Sequence, residues 1–437
     1  MTSLPVVLKF GGESLADPEK VRHAIVGARH EGHPVVVVVS ARAGVTDTLK
    51  SMIRDGNGRP EPQRVCDELE RAHPGLPRSG QRALRRILQL ARTVPPYHAP
   101  PASIGDEMLS QGERLAAHWF AAYLSSHGIP AVPVEADRLG LLTENNYGGS
   151  RILLRRSRRG VRAGLNRRLA AGVVPVVTGF FGRSLEGRVA TFGRGGSDYS
   201  ASAIGALLPA SRVELVKAHV AIATADPHVV PRARRVERLS YDEAEEVAQF
   251  GARVLHPVTI EPVREASVEL RVRSLADPNH RTTITRRPGA RHRVVTRLGP
   301  LRLISVRIAG GRQRPGLLAE ISRRLVESQV TLAAVVTTEA VLGLLLDPSE
   351  ARRARHALVP FAAANGAVLG KPLPVSLVSI VGEGVLREVG RVPPRILRAS
   401  AGLLATSRSV SIVIPDEFSA AAVRGLHRAF VEPRASA

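Results

Sequence analysis

The chain has 437 residues, of which 44% are hydrophobic and only 3% aromatic, and its formal net charge is +23 at pH 7. This length allows two or three domains around a large aliphatic core. An excess of basic residues often indicates nucleic-acid binding. Here the arginines are scattered through all segments, without interleaved aromatic residues or a recognisable nucleic-acid-binding module. We therefore expect no nucleic-acid partner.

Cysteine usage and apolar patterning indicate the cellular compartment. Cys66 is the single cysteine of the sequence and cannot form an intramolecular disulfide, which favours a reducing environment. No apolar run approaches the length needed to span a bilayer, and the chain passes from Met1 directly into a predicted strand. The sequence predicts a cytoplasmic protein without a membrane partner.

The N-terminal segments alternate between strand and helix patterns. The predicted elements are a strand over residues 5–10, a helix over 18–29 and a strand over 34–39. Short links between them predict parallel strands joined by a right-handed crossover. The first strand ends at Lys9, followed by Gly11 and Gly12, and such a turn can hold a phosphate. The alternative is that Lys9 is an ordinary solvated charge at the end of a strand.

The middle of the chain is helical around one short strand. We predict helices over residues 84–90, 104–124 and 151–169, and a strand over 129–134. Glu113 follows a glycine within the long second helix. On the residues alone, a Glu at such a position is usually a surface residue.

A glycine-rich stretch over residues 173–201 organises the rest of the chain. A buried strand is followed by a glycine turn at residues 193–196 and by a helix that Ser197 or Asp198 can cap. Free N–H groups at a helix N-terminus attract anions, and Arg194 adds two parallel donors for a carboxylate or phosphate. Asp198 can orient a reacting group or bind Mg²⁺ beside that anion. A tight structural connection is the alternative interpretation.

Several motifs resemble those of aspartate kinases, in the amino-acid kinase superfamily. Residues 193–201 match the signature of that family residue for residue. Residues 9–14 resemble its opening Lys-Phe-Gly-Gly-Thr-Ser, with Glu13 at the threonine position. Residues 40–47 resemble Ser-Ala-Met-Gly-Gly-Val-Thr-Asp, with Arg42 and Ala43 substituted. Because several motifs fall in order at sensible spacings, the resemblance is more specific than any single glycine turn.

The resemblance implies a role for each matching residue. In such enzymes the residue matching Lys9 contacts the transferred phosphoryl group, and Asp198 orients the site, with ATP and Mg²⁺ as cofactors. Glu113 is expected to receive the α-amino group of the substrate and Arg194 a substrate carboxylate. The other residues expected to bind the amino acid are Ser40, Thr46 and Ser197. The residues expected to bind the nucleotide are Lys9, Gly11, Gly12, Lys217 and Arg253.

The resemblance weakens where the family binds the nucleotide. Lys217 and Ala218 replace a Thr-Asp pair, Ala223 replaces a tyrosine and His228 an arginine. These changes remove stacking, polar and charge-assisted contacts from the nucleotide pocket. The matching lysine downstream is Arg253. His256, beside a proline, is expected to be structural. The amino-acid half of the site is thus better preserved than the nucleotide half.

The C-terminal part reads as two repeated α+β units. Residues 285–300 are basic and contain proline and glycine, which predicts a linker after a kinase domain over 1–284. The following units, 301–370 and 371–437, resemble paired ACT domains, which implies an amino-acid effector and a homo-oligomer formed through these units. The predicted helices here are 316–328, 349–364, 394–404 and 419–430, and the predicted strands are 301–308, 341–346, 375–381 and 409–414.

The sequence therefore predicts an α/β fold with a mainly parallel sheet between helices, followed by two α+β ACT-like domains. The first functional hypothesis is transfer of the γ-phosphoryl group of ATP to L-aspartate, which gives 4-phospho-L-aspartate and begins the aspartate-family amino-acid pathway. A second hypothesis retains this chemistry with another amino-acid carboxylate as acceptor or another phosphoryl donor. A third is a non-catalytic protein that binds amino acids and has lost nucleotide binding. Fold alone does not distinguish these three.

Overall fold

A computed structural model of the protein describes residues 3–53, 59–94, 100–218, 221–251, 254–287, 292–308, 316–338 and 341–432. The chain divides into two compact units. The first unit consists of Met1–Ile222, Arg235–Ala244 and Val254–Gly289. The second consists of Ala223–Arg234, Glu245–Arg253 and Ala290–Ala437.

An eight-stranded sheet is the framework of the first unit, with the order β3-β5-β2-β1-β8-β10-β11-β9. Neighbouring strands are parallel except β10 and β11. A separate three-stranded sheet has the order β4-β6-β7. The strands are β1 Val6–Phe10, β2 Val35–Val39, β3 Ala131–Val134, β4 Leu142–Thr143, β5 Val174–Thr178, β6 Phe181–Ser184, β7 Val189–Thr191, β8 Arg212–Lys217, β9 Arg238–Ser240, β10 Glu269–Ser274 and β11 Arg281–Thr285.

Helices pack against this large sheet. Short 3₁₀ turns occur at Ser14–Ala16 and Pro257–Thr259. The α-helices up to residue 287 are α1 Pro18–His30, α2 Val45–Ser51, α3 Pro62–Arg71, α4 Arg78–Thr93, α5 Ala102–Ser126, α6 Ala136–Leu139, α7 Leu154–Ala170, α8 Gly196–Leu207, α9 Tyr241–Gln249 and α10 Ile260–Ala266. In the part of the chain that the structure describes, no helix is long and apolar enough to cross a membrane.

The central strands of the first unit are buried on both faces. All five residues of β1, of β2 and of β5 are buried, which explains why these strands read as continuous apolar runs rather than alternating ones. Aliphatic side chains dominate the core, as the low aromatic content predicts. The carboxyl ends of parallel strands in such sheets meet at one edge, where ligands commonly bind. That edge places Lys9 of β1 and Lys217 of β8 near each other.

The second unit is built on an antiparallel sheet with the order β13-β14-β12-β16-β18-β17, and β15 also pairs with β12. Its strands are β12 Val294–Ile308, β13 Leu332–Thr337, β14 Val341–Leu346, β15 Ala367–Leu369, β16 Leu373–Val381, β17 Gly402–Ala405 and β18 Ser409–Pro415. Its later helices are α11 Leu317–Glu327, α12 Ala351–Asn365, α13 Pro394–Arg398 and α14 Ser419–Phe430, with 3₁₀ turns at Val385–Arg391 and Asp416–Phe418.

The two faces of strand β12 pack against different hydrophobic clusters. Ile304 and Val306 join a cluster with residues of α11 and α12, whereas Leu301 and Leu303 join a cluster on the other face of the sheet. Such alternation is what the two-residue period of a strand requires. Because β12 pairs with β14 on one side and with β16 on the other, the segments predicted as two ACT-like units share one sheet.

The structure confirms the predicted fold class, with a mainly parallel α/β sheet followed by an antiparallel α+β part, and corrects two segments. Residues predicted as a linker, 285–300, include the beginning of β12, because the chain pairs with β16 from Val294 onward. The helix predicted over residues 394–404 ends at Arg398, and β17 follows from Gly402. In both places arginine and proline interrupt the apolar pattern that predicts a strand.

Candidate functional site

Two lysines and one aspartate meet at the carboxyl edge of the large sheet. The Nζ atom of Lys9 lies 2.6 Å from Oδ1 of Asp198, and the Nζ atom of Lys217 lies 2.6 Å from Oδ2. Lys9 and Lys217 belong to the neighbouring parallel strands β1 and β8, and Asp198 lies in the first turn of α8. We call Lys9, Asp198 and Lys217 the lysine cluster. It places two ammonium groups around one carboxylate.

Electrostatics keep the carboxylate of this cluster ionised. Burial opposes the charge on Asp198, but the neighbouring Lys9 and Lys217 outweigh it and hold the pKa of Asp198 at about 2. Burial lowers the pKa of Lys9, against the attraction of Asp198. The side chains of Lys9 and Asp198 are 7% and 8% exposed, whereas that of Lys217 is 24% exposed. Lys217 is therefore the more accessible of the two cations.

Glycine allows the N-terminus of α8 to pack closely against the neighbouring chain. The helix begins after Gly195, which has a φ of 75° and no side-chain capping bond. A Cβ atom at Gly195 would lie 2.5 Å from the Cβ of His256, so a larger residue would clash there. The prediction that Ser197 or Asp198 caps this helix is wrong. Both residues lie inside the first turn, and the Asp198 side chain binds the two lysines instead.

Glu113 is a second buried carboxylate of the site. Its Oε1 atom accepts a hydrogen bond from the backbone N–H of Ala41 at 3.0 Å. Its Oε2 atom is buried and has no hydrogen-bond partner among the residues that the structure describes. Burial raises the pKa of Glu113 to about 8, against the hydrogen bond from Ala41 and the charge of Lys9. A cationic ligand that reaches Oε2 would relieve this burial penalty.

The first two glycine-containing turns pack against each other. A Cβ atom at Gly12 would lie 2.5 Å from the carbonyl oxygen of Ala41, so the turn after β1 requires glycine at that position. Ser40 donates its N–H to the carbonyl of Phe10 at 3.1 Å, and Gly11 is half-buried beside Lys9. Thr46 lies half-buried in the first turn of α2.

Arg194 remains open to solvent. It lies between Gly193 and Gly195, is exposed, and forms no hydrogen bond or ion pair within the described part of the chain. Burial and the charge of Arg194 lower the pKa of His256, and the charge of Asp198 opposes this shift, which indicates that the three groups lie near one another. An unpaired guanidinium beside the helix N-terminus is available to an anionic ligand.

The two residues that replace family motif residues, Arg42 and Glu13, have different surroundings. Arg42 donates a hydrogen bond to the carbonyl of Ala72 and lies over the Trp119 ring, 4.2 Å from its centroid. Glu13 is exposed in the turn after β1. Arg253, predicted to bind the nucleotide, lies outside the described residues.

Sequence reasoning missed how Lys217 and Asp106 are used. Lys217 was assigned to nucleotide binding, but no pattern indicated its ion pair with Asp198. Asp106 accepts hydrogen bonds from the N–H groups of Thr191 and Gly148 at 2.7 and 2.9 Å, which fixes the segment before the glycine turn. The sequence feature that could have indicated this role of Asp106 is an acidic residue on the buried face of α5. Among the residues described here, no group of three or more His, Cys, Asp and Glu side chains could hold a metal ion.

Comparison with known proteins identifies clear relatives. Residues 5–274 match the model of the amino acid kinase family. An aspartokinase of Thermus thermophilus is 30% identical over 444 residues, which cover 97% of this chain and 98% of that protein. Lysine-sensitive aspartokinase 3 of Escherichia coli is 30% identical over 358 residues, 78% of each chain. The crystal structure of E. coli aspartokinase III in complex with aspartate and ADP has a TM-score of 0.82 at 26% identity, over 98% of this chain and 100% of that one.

Proposed function

Because the chain belongs to the amino acid kinase family and, within it, to the aspartokinases, we propose that it transfers the γ-phosphoryl group of ATP to the side-chain carboxylate of L-aspartate. The observation that carries the proposal is the lysine cluster beside Glu113, whose second carboxylate oxygen is buried and free. The solved E. coli relative binds both aspartate and ADP. A different acceptor or a non-catalytic protein is less well supported, since the relatives of this chain over nearly its whole length are aspartokinases.

The chemistry needs positioning and charge rather than a base. A carboxylate oxygen of aspartate attacks the γ-phosphorus, the new O–P bond forms, and the bond to the bridging oxygen breaks with its electron pair leaving on ADP. The attacking oxygen is already anionic at neutral pH, so no proton has to be removed. This agrees with Asp198, whose pKa of about 2 makes it a poor base. Asp198 instead holds two ammonium groups in one place.

Lys9 and Lys217 supply the positive charge that phosphoryl transfer requires. Both ammonium groups approach from strand ends toward the same carboxylate, so they can contact oxygens of the transferred group or of the β-phosphate. Two like charges repel each other unless an anion lies between them. Asp198 performs this role before ATP binds, and the phosphates share it afterwards. We therefore assign Lys9 and Lys217 to phosphate contact and Asp198 to positioning.

The amino acid is held by groups of opposite charge. The free Oε2 of Glu113 is suited to its ammonium group, and the guanidinium of Arg194 to its α-carboxylate. The hydroxyl groups of Ser40, Thr46 and Ser197 complete the proposed amino-acid site. These assignments are the ones that the motifs predicted.

The nucleotide is proposed to bind at the turn that contains Gly11 and Gly12. Mg²⁺ is proposed to enter as part of the MgATP substrate. Both oxygens of Asp198 already bind lysines and one oxygen of Glu113 accepts a backbone bond, so these carboxylates do not form an open metal site. Mg²⁺ commonly binds through substrate phosphates and water. Arg253 remains a predicted nucleotide-binding residue.

The second unit is proposed to regulate the enzyme. E. coli aspartokinase III has also been solved with lysine and aspartate in a T-state, with a TM-score of 0.79 to this chain at 26% identity. By analogy, we propose that residues 301–370 and 371–437 act as ACT-like domains that bind an amino-acid effector and join copies of the chain. Residues 1–284 would form the kinase domain.

Trapping of the product tests the proposed reaction. Purified protein with MgATP, L-aspartate and hydroxylamine is expected to form aspartyl hydroxamate, which gives a coloured complex with ferric iron. Omission of aspartate gives the blank. If the acyl phosphate does not form, although calorimetry detects aspartate binding, the protein is not an aspartate kinase. A screen of other amino acids in the same assay would then identify a different acceptor.

A further inference from the structure

A second cleft opens in the first unit, on a different face of α5 from Glu113. Its volume is about 700 Å³, within the range of small-molecule sites. The α5 residues that line it include Glu107, Arg114 and His118. With 3.6 residues per turn, Glu113 lies about a third of a turn away from this stripe. The cleft is therefore separate from the lysine cluster, and we call it the basic cleft.

Arginine side chains exceed carboxylates around the basic cleft. Its lining contains six arginines and three carboxylates, an excess of three positive charges. The carboxylates are Glu107, Glu135 and Asp137, and the arginines are Arg82, Arg85, Arg86, Arg114, Arg138 and Arg188. The local sequence explains the imbalance, since no Asp or Glu occurs between Glu70 and Asp106. Helix α4 can therefore form no internal ion pair.

Three of these arginines lack an acidic partner. Arg114 binds Glu135 and Asp137, Arg138 binds Glu135, and Arg86 binds Glu107, which uses all three carboxylates. Arg82 and Arg85 form no ion pair in the described part of the chain. Arg188 donates only to the Ser103 hydroxyl, at 3.1 Å, from its side chain. The unpaired guanidinium groups all line the same cleft.

The floor of the cleft is an ordered polar network. His118 bridges Ser79, at 2.9 Å, and Glu135, at 3.2 Å. The Arg114 guanidinium donates to Asp137 Oδ2 at 2.8 Å and lies over the Phe181 ring. The Oδ1 atom of Asp137 is buried and has no hydrogen-bond partner in the described structure. A buried acceptor without a partner is costly unless a ligand or water donates to it.

The basic charge continues beyond this cleft. An adjoining cavity of about 610 Å³ shares Ser79, Arg82, His118, Glu135 and Arg138 with it, and is also lined by Arg167 and Arg168. The two cavities thus form a continuous groove with guanidinium groups along its length. By contrast, Arg155, Arg158 and Arg159 on the outer side of α7 are exposed and line neither cavity.

We propose that the basic cleft binds a small molecule that carries several phosphate charges. An excess of three guanidinium groups matches a ligand of charge near −3, and the planar fork of arginine suits phosphate oxygens. A nucleic acid is a poorer match, because no Phe, Tyr or Trp side chain for base stacking is among the described residues that line the cleft. The free Oδ1 of Asp137 can accept a hydrogen bond from a hydroxyl of the ligand. The site does not depend on the catalytic groups.

The test uses full-length protein and inorganic tripolyphosphate as the probe. A cleft variant combines Arg82→Gln, Arg85→Gln and Arg188→Gln, all at exposed positions, so that folding is not compromised. A matched control combines Arg155→Gln, Arg158→Gln and Arg159→Gln, which removes the same charge from α7. Calorimetry at low salt should show that the cleft variant loses one binding site per chain, with affinity at that site falling about a hundredfold. The control should bind within about threefold of the parent.

Aspartate kinase activity is measured on the same three proteins, and kcat is expected to stay within about twofold in all of them. Equal loss of tripolyphosphate binding in both variants, or none in the cleft variant, would overturn the proposal. Preferential binding of a 20-nucleotide single strand at these arginines would assign the cleft to nucleic acid instead. A change of oligomeric state in the cleft variant, detected by light scattering, would assign it to a contact between copies of the chain.

Discussion

The lysine cluster and the amino-acid-binding groups differ in how far their charges are satisfied before any ligand binds. In the cluster, each oxygen of Asp198 already has a lysine 2.6 Å away. In the proposed amino-acid site, Oε2 of Glu113 and the guanidinium of Arg194 have no protein partner in the described structure. On the proposed assignments, the phosphates would therefore compete with the Asp198 carboxylate for the lysines, whereas the amino acid would meet groups that have no protein partner.

This difference predicts opposite responses to pH and mutation. Asp198 stays ionised at any pH above about 3, since its pKa is about 2, so the cluster keeps its anion across the physiological range. Glu113, with a pKa of about 8, is largely protonated at pH 7 until a cation binds. Amino-acid affinity should thus depend on pH near neutrality, while the charge on Asp198 should not.

Replacement of Lys9 should have the largest effect. Lys9→Met removes a buried ammonium group that is expected to contact the transferred phosphoryl group, and kcat should fall about 10³-fold. The KM for aspartate should change little, because Lys9 makes no proposed contact with the amino acid. Hydroxamate formation measures kcat, and circular dichroism controls for folding. A rise in the KM for aspartate with kcat unchanged would place Lys9 in the amino-acid site.

Replacement of Arg194 tests directly whether its unpaired guanidinium binds the amino acid. If Arg194 forms a bidentate pair with the α-carboxylate, Arg194→Ala should cost about 2–3 kcal/mol of amino-acid binding, because the exposed guanidinium is at the weaker end of such pairs. This corresponds to a Kd for aspartate about 30- to 150-fold higher. Arg194→Lys should recover only part of the loss, since it restores the charge without the fork.

Calorimetry with aspartate measures this loss, and titration with MgADP provides the internal control. Nucleotide affinity should change less than threefold, because Arg194 is assigned to the proposed amino-acid site. If Arg194→Ala binds aspartate as tightly as the parent protein, the α-carboxylate lies elsewhere.

Replacement of Glu113 separates function from stability. In Glu113→Gln, the amide oxygen can still accept the bond from Ala41, but the charge for the substrate ammonium is lost. The KM for aspartate should rise about tenfold at pH 8. In the parent protein the KM should fall as pH rises from 6.5 to 8.5, because Glu113 ionises in this window. The variant should lack this dependence, and a KM that still falls in it would assign the titration to another group.

The same substitution has a predicted effect on thermal stability. The pKa of Glu113 is raised in the folded state, so between about pH 4.5 and pH 8 the folded protein keeps a proton that the unfolded chain has lost. Stability from this group therefore decreases as pH rises through that window. Glu113→Gln has no such penalty, so its melting temperature should exceed that of the parent at pH 8 and match it near pH 4.5. Equal melting temperatures at pH 8 would show that burial does not raise the pKa of Glu113.

The sequence predicted the framework well because the pattern and the physics agree there. Strands β2 and β5 are short runs rich in β-branched residues, and β1 and β8 are likewise almost wholly buried, as expected of central strands in a parallel sheet. Strands β13 and β17 were missed because each of their residues is half-buried or exposed, so neither strand forms a buried apolar run. The beginning of β12 was hidden by arginine, glycine and proline, and only pairing with β16 holds it in the sheet.

The residues of the site were predicted from motifs, but not their contacts. The matches to family motifs gave Lys9, Glu113 and Asp198, whose roles here remain proposals. The ion pair between Lys217 and Asp198 joins residues on two elements, and no local pattern specifies which carboxylate a strand-end lysine will reach. Arg42 shows the same limit, because its rotation toward Trp119 depends on α5 packing nearby.

Replacement of Lys217 should have the smallest effect, and it shows how the two lysines of the cluster differ in importance. The Lys217 side chain is 24% exposed, against 7% for Lys9, so its charge is more strongly screened by solvent. Lys217→Thr introduces the residue that the resembling kinases carry there and leaves the ion pair between Lys9 and Asp198 intact. We expect kcat to fall about tenfold or less, with the KM for ATP raised by a similar factor.

A double-mutant cycle with Lys9→Met shows whether the two lysines act together. Because both ammonium groups share Asp198, removal of Lys217 should raise the pKa of Lys9 and strengthen the remaining pair. The loss in the double variant should therefore differ from the product of the two single losses, as it does for residues in one network. Multiplicative losses would mean that the lysines contact separate groups of the nucleotide. A kcat in Lys217→Thr as low as in Lys9→Met would instead make Lys217 as important a phosphoryl contact as Lys9. The expectation that the more buried lysine contributes more would then be wrong.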